Sequence, residues 1–148
     1  MNAQNPDMPL YSIGTAARIL GISVQLIRKY EADGLLLPFK TEGNQRLYSP
    51  NDIERIECIR RAINENKISI AGIRRIHAMI PCWQLVQCSE EERNGCPAYH
   101  EHDGGCWTHK KVSETCVTRE CRLCPVYKMS DDCSKIKKHI VEIYHAAT

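Results

Sequence analysis

The apolar positions of the first eighty residues fall into short helical stripes separated by polar breaks. Ile13, Ala16, Ala17 and Leu20 recur at helical spacing after Ser12, and Gly21 ends the run. Ser23 stands where a second helix would be capped, with Leu26, Ile27 and Tyr30 inward and Gly34 just past its end. Two short helices joined by Gly21-Ile22-Ser23 predict a helix-turn-helix. From Leu35 to Lys40 the pattern turns extended. Thr41-Glu42-Gly43-Asn44 is a polar turn, and Gln45-Arg46-Leu47-Tyr48 is a second extended run. Together they predict a β-hairpin whose first strand Pro38 confines to an edge. Ser49-Pro50-Asn51-Asp52 then supplies a cap, a proline at the first helical position and an acidic residue three after the cap. The helix it opens carries Ile53, Ile56, Ile59 and Ile63 on one stripe. After Asn64-Glu65-Asn66-Lys67, Ser69 opens another helix with Ile73, Ile76 and Ile80 inward.

The pattern breaks at Ile80-Pro81, which places a domain boundary there. Beyond it cysteine dominates. Of the 9 cysteines, only Cys58 precedes residue 81. A chain of 148 residues holds one modest core, or a small domain with an appendage. No apolar run approaches bilayer length; Leu35-Leu36-Leu37 is cut short by Pro38. Residues 1–10 lack a basic start and an apolar stretch, so they read as a flexible tail and the protein as cytoplasmic. The net charge of +2 is too small to indicate nucleic acid by itself, so any nucleic-acid site must show in local arrangement.

Three segments in order carry a resemblance. Tyr-Ser-Ile-Gly-Thr-Ala-Ala (11–17), Ile-Arg-Lys-Tyr-Glu-Ala-Asp-Gly-Leu-Leu (27–36) and Arg-Leu-Tyr-Ser-Pro-Asn-Asp-Ile (46–53) resemble the MerR family of transcription regulators from Tyr11 to about Ile80. The resemblance implies a winged helix-turn-helix with two further helices, acting on double-stranded promoter DNA with RNA polymerase. The helix after Ser23 would enter the major groove, where Val24, Gln25 and Arg28 reach base edges or phosphates. Arg46 and Tyr48 on the wing would grip phosphates. Lys29, where many relatives carry an aromatic residue, and Lys40 are further candidates for the backbone; the competing reading of each basic residue is a solvated surface charge. Tyr30 reads as core.

The second half has its own grammar. Cys82-Trp83 and Cys106-Trp107 echo each other, as do Cys96-Pro-Ala-Tyr99 and Cys124-Pro-Val-Tyr127. This is similar to the two-CW type of cysteine-rich domain attached to bacterial sensory proteins. In a reducing compartment such a cluster points to metal rather than disulfides. The candidate ligands are Cys82, Cys88, Cys96, Cys106, Cys116, Cys121 and Cys124. Cys116-x4-Cys121-x2-Cys124 has the spacing of three plant-type ferredoxin ligands, with the fourth drawn from elsewhere. An iron–sulfur cluster is therefore slightly favoured. Zn2+ in four-thiolate sites, completed by Cys133, His100, His102 or His109, is the alternative. Trp83 and Trp107 would shield a cluster or build a small apolar core.

The long helix by which MerR relatives dimerise should begin where Pro81-Cys82-Trp83 interrupts the chain. The remaining candidate is Asp131 to Ala147, with Cys133, Ile136, Ile140, Ile143 and Ala147 on one stripe. It would either pack on its own cysteine-rich domain or serve a homodimer. The expected fold class is mainly α: a winged helix-turn-helix over 11–80, a loop-rich, metal-stabilised cysteine-rich domain over 81–130, and a C-terminal helix over 131–148. The expected function is a non-enzymatic regulator that senses metal, redox state or a small molecule. Its rivals are a regulator whose cysteine half is a zinc module for protein–protein contact, and a thiol-redox enzyme built on Cys121-Arg122-Leu123-Cys124. That last pair lacks the βαβ pattern around it.

Overall fold

A computed structural model describes residues 5–130 and 135–147 of the chain. The expectations placed on Cys133 and on Asp131 as a helix start lie outside the described residues. The described chain is mainly helical. Its first half consists of β1 (Tyr11–Ser12), α1 (Ile13–Leu20), α2 (Val24–Ala32), β2 (Phe39–Lys40), β3 (Arg46–Tyr48), α3 (Pro50–Asn64) and α4 (Ile70–Ala78).

Each helix starts on the serine that the sequence offers. Ser12 accepts from the Thr15 amide at 3.2 Å, Ser23 from Leu26 at 3.1 Å and Ser69 from Gly72 at 3.0 Å. Ser49 and Asp52 form a reciprocal capping box at 3.1 and 2.8 Å. Such caps contribute about 1 kcal/mol each. Gly21 closes α1 at φ 67°, a conformation that costs glycine little. The sheet order is β1-β3-β2, all antiparallel, which leaves β2 at an edge as Pro38 requires. The two-residue β1 was not foreseen, because it is too short to show a period.

The core of this half gathers Ala16, Ala17, Ile27, Tyr30, Leu35, Leu36, Tyr48, Ile53, Ile56, Ile59 and Ile73. Two expectations are corrected. Ile76 is 37% exposed, because Ile73 and His77, four residues apart, take the inward face of α4. Residues 5–10 are not a loose tail. Asp7 bonds Asn51 at 2.7 Å and Lys128 at 2.6 Å, and the Leu10 amide donates to Tyr48 O at 3.0 Å.

The second half is built of single turns rather than loops: α5 (Cys82–Leu85), α6 (Glu90–Asn94), α7 (Pro97–His100), α8 (Glu114–Val117) and α9 (Pro125–Lys128), then the longer α10 (Lys135–Ala147). Cys106–Thr108 and Cys121–Leu123 are 3-10 turns. A second core joins Ile80, Val86, Trp107, Val126 and Tyr127, with Ile136 of α10 packed against it. The two halves meet on Arg55 of α3, which is 0% exposed. Its Nε donates to Leu35 O and its Nη1 to Tyr127 O, both at 2.8 Å. The guanidinium lies 3.7 Å from the Tyr127 ring centre and 5.1 Å from that of Trp107. Trp107 Nε1 donates to Gly34 O at 2.8 Å, and Tyr127 OH accepts from the Leu37 amide at 2.9 Å.

His77 is buried beside this junction, its ring 5.1 Å from Trp107. Burial, then the charges of Arg55 and Arg74, push its pKa down to about 3. A depressed histidine leaves the fold intact above its unfolded value of about 6.5 and costs stability as pH falls below it. Denaturant midpoints should therefore fall between about pH 6.5 and pH 5. His77→Gln should flatten that slope; equal slopes in the two proteins would refute the assignment.

Candidate DNA-binding face and cysteine cavity

The capping of α2 by Ser23 and the burial of Ile27 and Tyr30 leave Gln25, Arg28 and Lys29 exposed on its outer side. Lys29 forms an i,i+4 pair with Asp33 at 3.2 Å. Val24 is half-buried and packs against the first core, so only its edge faces outward. Lys40 is exposed on β2. Arg46 is half-buried, its Nε bonded to Glu31 Oε2 at 2.8 Å.

Tyr48 is a correction. It is 0% exposed and its hydroxyl donates to Glu31 Oε1, so it cannot reach a phosphate. Burial, then Glu31, raise its pKa and keep it a neutral donor. Glu31 thus fastens the wing to α2 through both Arg46 and Tyr48. The sequence reading missed this role; the clue was an acidic residue on α2 facing a strand with an arginine and a tyrosine.

The seven candidate ligand cysteines, Cys82, Cys88, Cys96, Cys106, Cys116, Cys121 and Cys124, are all free and half-buried. All seven line one cavity of about 50 Å3, whose walls also carry Val86, Ala98, Tyr99, Val112 and Val126. Among the described residues, no three His, Cys, Asp or Glu side chains are gathered closely enough to hold one ion. Burial, then Cys88, Cys96 and Cys116, push the Cys82 thiol up to about 11. Cys106 is raised further, by burial and then by Cys82, Cys124, Cys121 and Cys116. A metal held by these thiols would have to displace their protons. Glu92 caps α6 and accepts from the Thr115 amide at 2.9 Å, which ties the Cys88 segment to the Cys116 segment.

The alternative histidine ligands are elsewhere. His100 bonds Asn94 O at 2.8 Å, His109 bonds Asp103 O at 3.0 Å, and His102 is exposed. Cys58, half-buried on α3, is disulfide-bonded and stands apart from the free set. The tryptophans divide: Trp107 is core, while Trp83 lies edge-on to Tyr99 at 5.3 Å, and Tyr99 is 38% exposed. Trp107 meets Tyr127 edge-on at 5.1 Å, so the two sequence echoes form matching ring pairs.

Two arginines escaped the sequence reading. Arg55 shares the helical stripe of Asp52, Ile56 and Ile59, a position where a charge demands partners. Arg122, between Cys121 and Cys124, reaches Asp52 at 3.0 Å and lies 5.6 Å from the Phe39 ring of β2.

A family profile described as "MerR HTH family regulatory protein" matches residues 11–79. The chain is 39% identical over 70 residues to a protein of Streptomyces coelicolor named putative heat shock protein HspR, covering 47% of this chain and 46% of that one. It is 32% identical over 79 residues to the HTH-type transcriptional regulator GlnR of Bacillus anthracis, covering 53% and 60%. A third relative, heavy metal-dependent transcription regulator 2 of Rhizobium meliloti, is 40% identical over 52 residues, covering 34% and 35%. The chain thus spans about half the length of the relatives it matches. Among the described residues, no helix is long and apolar enough to cross a membrane. Residues 11–79 are a MerR-family helix-turn-helix regulatory domain.

Proposed function

We propose that this chain is a non-enzymatic transcriptional regulator that binds promoter DNA through residues 11–79 and holds a metal through the thiols of its second half. The observation that carries the first part is the exposed row Gln25, Arg28 and Lys29 on the second helix of a MerR-type domain. That helix enters the major groove, Arg28 reads a base edge or phosphate, and Arg46 and Lys40 hold the backbone from the wing. A homodimer on a pseudo-palindromic site and the distortion of promoter DNA to suit RNA polymerase follow from the family. Ile140, Val141 and Tyr144, exposed on α10, offer apolar surface for the pairing.

The thiol cavity supports a sensing role. Its walls are continuous with the core that grips Arg55, so a change in metal occupancy bears on the DNA-binding half. An iron–sulfur cluster is favoured, and the signal is metal, redox state or a reactive small molecule. The same continuity also favours a second reading, in which structural zinc completes a small core for protein–protein contact. The protein acts in the cytoplasm in either case.

Binding to the protein's own upstream region tests the DNA reading. Arg28→Ala should weaken it by about 1–3 kcal/mol, roughly 5- to 150-fold. Arg46→Ala should lower the salt slope by about 1. Unchanged affinity in both variants would remove the groove and wing assignments. The sensing reading is separated from the zinc module by comparing metal-loaded and chelated protein: altered DNA affinity with an intact fold supports sensing.

A further inference from the structure

The sequence leaves open two separate four-cysteine sites, but the seven thiols share one cavity. Four cations, Arg93, Lys110, Lys111 and Arg119, line the same cavity; among the described residues no carboxylate lines it, and Glu92 acts on Cys88 from outside the lining. Cations around thiols suit an occupant whose ligated form is negatively charged. The cavity measures about 50 Å3, where about 10–15 Å3 suffices for one water. The thiols are spread over its wall rather than meeting at a point. A single zinc needs its sulfurs about 2.3 Å from one centre. A cluster with its own inorganic sulfide reaches its thiolates from several metal corners, and so accepts donors that stand farther apart.

Within the cavity the thiols divide. Cys82, Cys106, Cys116, Cys121 and Cys124 all pack against the second core; Cys88 and Cys96 are outside that group. Cys106 neighbours Cys82 and all three of Cys116, Cys121 and Cys124, whereas Cys82 neighbours Cys88 and Cys96 as well as Cys116. The spacing Cys116-x4-Cys121-x2-Cys124 asks for a fourth ligand from another segment. Cys106 stands where that ligand is needed.

We propose that this cavity is one metal site, filled by a single iron–sulfide cluster ligated by Cys106, Cys116, Cys121 and Cys124, with Arg93, Lys110, Lys111 and Arg119 as its counter-charge. Four thiol protons leave as the four thiolates bind iron. The proposal rests on the reading that the second half holds metal, and not on DNA binding. It is tested on the full chain produced and purified without oxygen, by analysis for iron, acid-labile sulfide and zinc. Iron and sulfide should be present in equal amounts. Cys88→Ser and Cys96→Ser should keep the full content, and Cys106→Ser and Cys121→Ser should lose most of it. Cys121 sits on a half-buried turn, so its variant retains the fold if Cys106→Ser does not; far-ultraviolet circular dichroism reports this for both. Zinc without sulfide would overturn the proposal, as would loss in Cys88→Ser as complete as in Cys121→Ser. Arg28→Ala should leave the metal content unchanged, so a failed DNA interaction and a failed cluster are told apart.

Discussion

Replacing Arg55 with alanine is expected to destabilise the protein by at least about 3 kcal/mol, read as a shifted denaturant midpoint. The Leu35 carbonyl loses its donor inside the fold, and a buried acceptor left unpaired costs about 1–3 kcal/mol. The Tyr127 carbonyl loses less, because Ser130 Oγ still donates to it at 2.9 Å. Two aromatic faces lose their cation, a contact worth about 2 kcal/mol when shielded from water. Arg55→Lys should recover only part of this, since an ammonium cannot fork between two carbonyls. A variant within about 1 kcal/mol of the parent would show that the junction is held elsewhere.

The two tryptophans supply an internal comparison. Trp107→Ala should cost about 3–5 kcal/mol, the usual range for a buried aromatic truncation. It removes the ring between His77, Tyr127 and Arg55 and the bond to Gly34 O. Trp83→Ala should cost about 1 kcal/mol, because its partner Tyr99 is already open to solvent. Equal losses, measured by denaturation of the two variants side by side, would mean that the matching ring pairs carry equal burdens and that the halves do not dock through Trp107.

Much of the first half was legible because its signals are local. Serine caps, the Gly21 stop, Pro38 and the Ser49-Pro50-Asn51-Asp52 start each act within one turn of chain. The same locality explains the error at Tyr48. The resemblance placed Tyr48 on a phosphate-gripping wing, but the strand sits against α2, where Glu31 supplies an acceptor from 17 residues away. In the second half the cysteine pattern identified the thiols that share a cavity. It could not place Arg55 and Arg122: Arg122 pairs with Asp52 and Phe39 of the opposite half, and Arg55 joins Leu35 of its own half to Tyr127 and Trp107 of the other.

Arg122 carries one further consequence. It lies between Cys121 and Cys124 and grips Asp52, the residue that closes the capping box of α3, while resting over Phe39 at the base of the wing. A contact of this kind works in both directions. On the function proposed above, whatever factor metal occupancy applies to promoter affinity, promoter binding must apply to metal affinity. Molecules seated on DNA and molecules free in solution would then load at different metal concentrations, so the number of operator sites would itself help to set the threshold of the response.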